Sequence, residues 1–477
     1  MNTNRLTISL FFLIILFSIT VRCWKITQPV ADWHSFRQAD TASVARVFTQ
    51  RGIDLLHPRY HDLSNIQSGK DNPEGWRMVE FPMYQGIAAF LYSIFPFVTI
   101  EIWLRILTIL ASALTGLFLG LMVRKRSGTL AGMITSASYA LLPYSIFYGR
   151  VILPDPIMVF LAITALYLMD VAPMRRSWGR VLVSTCIAGL AFLVKPYALF
   201  LLLPWLTFII EKPYCKHHVL KIIIGTITVC TPIILWRGWI QGFPEGIPAS
   251  DWLLNKDAIR FKGAWFYWLF FERVGELILG AWGLIPFGIG LMVKDKKNDW
   301  FFPLLLLGSL SYLVVIAGGN VQHDYYQILL LPAITVYFGK GFAYLWGVRD
   351  GVNPFISRGL ALVTCIFLFA FSWYTVRTYY WINKPEIIEA GNAADTLLPK
   401  DAKIIAPYMG DTTFLYQTKR IGWPLNFEID KKIAMGATHY VTISPTDNDL
   451  ETKELAEKYT VLVRNEKYAI IDLTRIK

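Results

Sequence analysis

Five groups of polar residues have types and spacings that could do chemistry. The first runs Asp32-Trp33-His34-Ser35-Phe36-Arg37-Gln38-Ala39-Asp40. At about 100° per residue, Phe36, Asp40, Val44, Val47 and Phe48 share one helical face, which puts Asp40 inside an apolar stripe. Such a carboxylate either pairs with Arg37 or a neighbouring helix, or is aimed into a polar cleft. The second group holds Arg150 and Asp155, and Asp155 opens an apolar run, where negative charge also suits a helix N-terminus. That leaves Arg150 unexplained. The third is Lys195-Pro196, a cation between two short apolar runs that either snorkels or serves a site. Arg260 with Lys262 make the fourth, and His323-Asp324-Tyr325-Tyr326 the fifth. Carboxylates and an imidazole can accept a proton, and fixed cations can stabilise developing negative charge.

The elements that must position these groups are apolar. The 477 residues are 55% hydrophobic and only 17% charged, and the mean hydropathy is +0.44. Soluble domains carry about 25% charged residues, so this composition excludes a disordered chain and disfavours a soluble fold. Apolar runs long enough to cross a bilayer predict about eleven spans, at 6–24, 103–123, 129–148, 155–170, 181–194, 197–211, 220–237, 275–293, 301–317, 327–346 and 359–378. The run 6–24 lacks a small-residue cleavage site and is expected to be a retained span. With the N-terminus in the cytoplasm, the inner connections contain Arg124-Lys125-Arg126, Arg175-Arg176-Arg180, Lys212-Lys216-Lys221, Lys294-Lys296-Lys297, and Arg349 with Arg358. Every one is basic, as the positive-inside bias requires. That bias also accounts for the net charge of +12, so nucleic acid is not expected as a partner. All five polar groups then fall in outer connections. The first outer loop, 25–102, includes an apolar stretch 83–97 expected to lie along the membrane surface.

The expected domains are a transmembrane domain, 1–380, and a small extracytoplasmic α/β domain, 381–477. Strand-like runs in the latter occur at 402–408, 413–418, 438–443, 459–464 and 467–473, with Asn465-Glu466 as a hairpin turn. The fold class is therefore mainly α, a polytopic helical bundle with a C-terminal α/β domain. Five cysteines fall in or beside apolar runs without zinc-ligand spacing. Phosphate-binding glycine loops, a nucleophile elbow and H-E-x-x-H are absent. Asp447-Asn448-Asp449 reads as a solvated loop.

The ordered motifs resemble the GT-C class of polytopic glycosyltransferases, in particular the dolichyl-phosphate-mannose protein mannosyltransferase and lipid A aminoarabinose transferase group. Arg37-Gln38-Ala39-Asp40 is similar to that group's first-loop helix start, with Asp40 in the place of its acid. Glu80-Phe81-Pro82 resembles its Phe-Glu-Lys-Pro stretch, with Phe81 replacing the lysine. Arg150 to Asp155, Ala191 to Pro196, and His323 to Tyr326 resemble its later elements. Ungapped alignment from Arg37 puts His34 where the group's base stands; Asp32 fits with a two-residue shift.

The resemblance implies transfer of a sugar from a polyprenyl-phosphate donor to a hydroxyl of a glycan, lipid or protein on the outer face of a cell (inner) membrane. Asp32, His34 or Asp40 would then be the base. Arg37, Glu80, Arg150, Asp155, Lys195, Arg260, Lys262, His323, Asp324 and Tyr325 would bind substrate. The resemblance names no definite cofactor, a divalent metal is compatible with it, and membrane lipids are the surroundings. The alternative is a transporter or flippase, which predicts polar residues near mid-span rather than at one face.

Overall fold

The computed structural model describes residues 3–171, 177–210, 216–294, 299–347 and 351–477. Arg175, Arg176, Lys212, Cys215, Lys296, Lys297 and Arg349 of the sequence reading lie outside the described residues. The chain divides into two compact units. The first comprises Met1–Ile26, Arg105–Gly238 and Ser250–Thr378; the second comprises Thr27–Leu104, Trp239–Ala249 and Tyr379–Lys477.

The first unit is helical. Among the described residues, five helices are long and apolar enough to cross a membrane: Arg5–Arg22, Ile100–Ser127, Val219–Gly242, Asp324–Trp346 and Pro354–Tyr380. Trp178–Val194 and Phe301–Val315 are shorter apolar helices. The expected eleven are thus not eleven continuous helices, and local chemistry explains several breaks. The run 129–148 splits into Thr129–Leu141 and Pro143–Tyr148. The run 197–211 becomes two short turns, Ala198–Leu201 and Trp205–Ile209, with Pro204 preceding the second. The run 275–293 is interrupted at Gly280 and Ala281, both with positive φ, before Leu284–Met292.

The break at Pro143 is resolved by a distant arginine. Proline has no N–H for the carbonyl four residues back, which here is Tyr139. Arg22, at the end of the first helix and fully buried, donates Nη2 to Tyr139 O at 2.9 Å and Nη1 to Ala140 O at 2.8 Å. Its Nη2 also reaches Ser145 Oγ at 3.0 Å, in the next short helix. Orphan carbonyls in an apolar interior cost several kcal/mol each, so the guanidinium makes the break tolerable. A Cβ on Gly149 would lie 2.3 Å from Arg22 Nε and 2.6 Å from Ser145 O. Elsewhere small residues let backbones touch, as expected in lipid. A Cβ on Gly290 would meet Tyr337 O at 1.8 Å, and one on Gly341 would meet Pro286 O at 1.7 Å.

Charge gathers one set of helix ends. Asp170 Oδ1 accepts from Lys125 Nζ at 2.8 Å and Arg126 Nη2 at 2.7 Å. Arg126 Nε lies 3.2 Å from Asp299 Oδ2, with the guanidinium 4.0 Å over the Phe301 ring. The ends of Ile100–Ser127 and Asp155–Val171 and the start of Phe301–Val315 therefore meet.

The second unit is α/β. Its five-stranded sheet has the order β2-β1-β3-β5-β4, with β1 Lys403–Ile405, β2 Ile421–Trp423, β3 His439–Thr442, β4 Tyr459–Arg464 and β5 Ala469–Ile476. β1 pairs in parallel with β2 and β3, and β5 is antiparallel to β3 and β4. The β4–β5 hairpin turns at Asn465, whose Oδ1 accepts from the amides of Lys467 and Tyr468. The strand expected at 413–418 is instead a helix, Thr413–Gln417, started by Asp411 Oδ1 accepting the Thr413 amide at 2.7 Å. Its apolar trio Phe414, Leu415 and Tyr416 is buried all round, so period alone could not separate strand from helix. Asp447 is exposed and bridges Arg464, and Asp449 precedes the helix Leu450–Lys458.

The first loop is built into this unit. Helix Ser35–Arg51 packs on Met83–Ile94 and on Thr413–Gln417. Leu63 joins the core of Ile405, Trp423, Tyr440 and Ile471. Its amide donates to Gly422 O, and the Gly422 amide donates to His61 O. Beside it, burial pushes the Asp62 carboxyl up to about 6, with nearby Asp40 adding, against the pull of Ser64 hydrogen bonds and Arg77.

Gly149→Ala should lower the thermal midpoint in detergent, by about 1–3 kcal/mol of stability, because Arg22 and Ser145 must both give way. Gly359→Ala, in open space within Pro354–Val376, should be neutral or slightly stabilising. An acid whose folded pKa lies above its unfolded value of 3.8 penalises folding above its folded pKa, and the penalty fades as pH falls toward the unfolded one. Asp62→Asn should therefore exceed the parent in stability at pH 7.5 by roughly 2–3 kcal/mol. Unfolding titrations should show that difference closing between about pH 6 and 4.

Candidate active site

In the first unit the later polar groups meet. Asp155 opens helix Asp155–Val171, and Lys195 follows the last residue of Trp178–Val194. Lys195 Nζ contacts both Asp155 oxygens, at 2.9 and 2.8 Å, and both residues are buried. The ammonium faces three tyrosine rings, with centroids at 5.9 Å for Tyr197, 6.0 Å for Tyr325 and 5.8 Å for Tyr326. Lys195 therefore does not snorkel; it is a desolvated cation held by one carboxylate and aromatic faces. Asp155 combines a helix N-terminus with an ion pair, and removing either partner would strand a buried charge.

Asp324 directly precedes Tyr325 and Tyr326 in sequence and is buried. It accepts a short hydrogen bond from the Tyr148 hydroxyl, and its carbonyl accepts Tyr144 OH at 2.6 Å. Both tyrosines stand on Pro143–Tyr148, the helix anchored by Arg22. Two residues on, Arg150 is buried, donates Nη1 to Lys25 O at 2.9 Å and lies 5.5 Å over the Phe147 ring. His323 is half-buried and stacks on Tyr325 at 5.3 Å, with Trp252 edge-on at 5.5 Å. Arg260 Nη2 reaches the carbonyls of Leu254 at 3.3 Å and Val315 at 3.5 Å, so its connection is tied to the segment leading into His323. Lys262 is exposed and stands apart from the cluster. Arg150, Asp155, Lys195, Arg260, His323, Asp324 and Tyr325 thus sit on contacting connections, at helix ends opposite in sequence to those gathered by Asp170.

The first-loop residues form a second group, within the second unit. Asp32 is buried and accepts Gln38 Nε2 at 2.7 Å. His34 precedes Ser35–Arg51 in a left-handed conformation, φ 54°, which directs the chain into the helix. Its ring lies 5.1 Å from that of Trp33, which stacks on Tyr379 at 4.9 Å. Arg37 pairs with Glu80 at 2.7 Å, both buried. Asp40 pairs with neither Arg37 nor a bare cleft. Its Oδ2 accepts Arg77 Nη2 at 2.8 Å and Gln67 Nε2 at 3.0 Å, while Oδ1 accepts Thr412 Oγ1 at 2.7 Å.

Sequence reasoning missed Arg77, Gln67 and Thr412, and in the first unit Arg22, Tyr144 and Tyr148. Pro143 within an apolar run is the signal that could have pointed to Arg22, since it announces an unpaired carbonyl needing a donor. Nothing in the sequence marks Thr412 as a partner of Asp40. Among the described residues, no group of three or more His, Cys, Asp or Glu side chains is placed to hold a metal ion.

The sequence model of the dolichyl-phosphate-mannose-protein mannosyltransferase family matches residues 74–236, which contain Glu80, Arg150, Asp155 and Lys195. No curated protein matches the sequence. Among solved structures, the chain is similar to ArnT from Cupriavidus metallidurans bound to undecaprenyl phosphate. That match has a TM-score of 0.64 at 13% identity and covers 96% of this chain and 97% of that one. The Archaeoglobus fulgidus oligosaccharyltransferase matches with a TM-score of 0.55 at 10% identity, over 91% of this chain and 67% of that one. Mycobacterial arabinofuranosyltransferase AftD gives 0.61 at 13% identity, over 97% and 41%. This multi-pass membrane protein has the fold of the GT-C class of polytopic glycosyltransferases.

Proposed function

We propose that the protein transfers a sugar from a polyprenyl-phosphate-linked donor to a hydroxyl of a glycan, lipid or protein acceptor. The observation that carries this reading is the Asp155–Lys195 pair, buried among tyrosines, inside the one segment that matches the mannosyltransferase family. A lysine already stripped of water and set at the mouth of a helix is suited to a phosphate ester, for which Asp155 is the resident substitute. The ArnT relative was solved with undecaprenyl phosphate, which supports a carrier of that chemistry.

A phosphate is already a good leaving group, so fixed cations rather than a general acid assist its departure. That role falls to Lys195 and Arg150, with His323 and Asp324 ordering the tyrosines beside them. The acceptor oxygen bonds to the anomeric carbon as the carbon–phosphate oxygen bond breaks, in a single displacement with inversion. The acceptor proton passes to a first-loop base. Asp40 has both carboxylate oxygens engaged, by Arg77, Gln67 and Thr412, and is assigned to holding the loop. Asp32, oriented by a neutral amide, is the assigned base, with His34 as its rival. The basic connections support an N-terminus in the cytoplasm of a cell (inner) membrane, with the reaction and the second unit on the outer side.

The test is release of polyprenyl phosphate from a polyprenyl-phosphate sugar by the purified protein when acceptor is supplied. Lys195→Gln should lower kcat/KM by about 10²–10³-fold. Asp32→Asn should lower kcat at least as much with an unchanged thermal midpoint, whereas Asp40→Asn should lower the midpoint as well. Activity retained in Asp32→Asn but lost in His34→Ala would move the base to His34; full activity in Lys195→Gln would reject the assignment of the phosphate site.

A further inference from the structure

The second unit contains a cavity of about 190 Å³ that the transfer chemistry does not use. Its lining divides by character. Its apolar members are Val47, Leu63, Pro73 and Ile421, with Tyr60 among them. Its cationic members are Arg51 at the end of Ser35–Arg51, Arg59 in the first loop and Lys403 on β1. Glu74 is the one carboxylate in the lining, and Arg59 engages it at 2.8 Å while lying 4.2 Å over the Trp76 ring. Lys403 Nζ donates only weakly, to Met435 O at 3.3 Å. Among the described residues, Arg51 and Lys403 have no carboxylate within ion-pair distance. Three cations and one acid thus line a void large enough for several waters.

The neighbourhood carries the same sign. His61, next to Tyr60 and buried, has its pKa held well below the usual value, by burial first and then by Arg46 and Arg51. A concave surface lined mainly by one sign of charge concentrates counter-ions, and guanidinium and ammonium groups make strong hydrogen bonds to carboxylate and phosphate. A lining that combines apolar side chains with cations suits a ring that has a C–H face and a charged substituent.

We infer that this cavity binds an anionic sugar residue, a sugar phosphate or a uronic acid, through Arg51, Arg59 and Lys403, with the ring against Pro73 and Ile421. The choice of a sugar as carrier of the charge rests on the glycosyl-transfer reading; the anion site does not. The ligand would be a charged unit of the acceptor glycan remote from the reacting hydroxyl, or a free sugar acid.

The test is calorimetric titration of the full-length protein in nanodiscs at low ionic strength with glucose 6-phosphate, glucuronate, glucose and inorganic phosphate. Saturable binding of an anionic sugar, with none of glucose, is expected. Arg51→Gln combined with Lys403→Gln should weaken that binding at least tenfold, with each single variant intermediate and thermal midpoints unchanged. Lys195→Gln should leave it unaltered, which separates this site from the donor phosphate. Absence of saturable binding, equal binding of glucose, or a Kd within twofold in the double variant overturns the proposal. Inorganic phosphate binding as tightly as glucose 6-phosphate overturns its sugar component. No turnover is measured, so failure here and failure of the transfer reaction are told apart.

Discussion

The first unit depends on a guanidinium that repairs a broken helix. Pro143 severs an apolar helix in the middle of its run, and in a solvent without water the carbonyls it releases have nowhere to go. Arg22 supplies both N–H groups from another helix, and is itself fully buried among Ser18, Tyr139, Ala140 and Ser145. The cost of burying that charge and the cost of the orphan carbonyls offset each other. The result is a short helix, Pro143–Tyr148, in a direction a continuous helix could not take. It places Tyr144 and Tyr148 on Asp324 and leads into Arg150. The tight turn at Gly149 follows from the same contact, since a side chain there would displace the arginine.

The order of apolar runs was legible because lipid exposure demands long hydrophobic stretches. Helical segments fall within the expected runs from Thr3–Arg22 to Pro354–Val376, but among the described residues five helices, not eleven, are long and apolar enough to cross a membrane. What hydropathy could not provide is continuity. It is blind to whether Leu142-Pro143 or Gly280-Ala281 breaks a span, because those residues are apolar or small and leave the average unchanged. The breaks matter most, since irregular backbone at depth is where polar side chains find room.

In the second unit helix Ser35–Arg51 is buried on every face from Arg37 to Ala45, so Asp40 is buried together with its neighbours and the apolar stripe does not single it out. Period says nothing about the partner. Arg77 and Gln67 come from the irregular part of the first loop and Thr412 from the C-terminal segment, 372 positions away. A sequence divided at 380 separates what the fold joins: Leu63 completes the core under the sheet, and Arg46 Nη2 reaches Glu101 at 2.6 Å while its guanidinium lies 3.7 Å over Tyr416. Such long-range pairing carries no local signature.

Charge placement in the first unit follows one rule at both sets of helix ends, and the rule has different consequences at each. Where Lys125 and Arg126 meet Asp170 and Asp299, two cations share two carboxylates, and Lys125 is largely exposed. Where Lys195 meets Asp155, a single cation and a single anion are both buried, with aromatic rings rather than water around them. A pair with one exposed partner contributes little energy. A desolvated one-to-one pair is costly to maintain, and apolar residues of similar size would cost less. At these ends it stands beside the Tyr148–Asp324 contact, so removing any one of these polar groups would strand another in the interior.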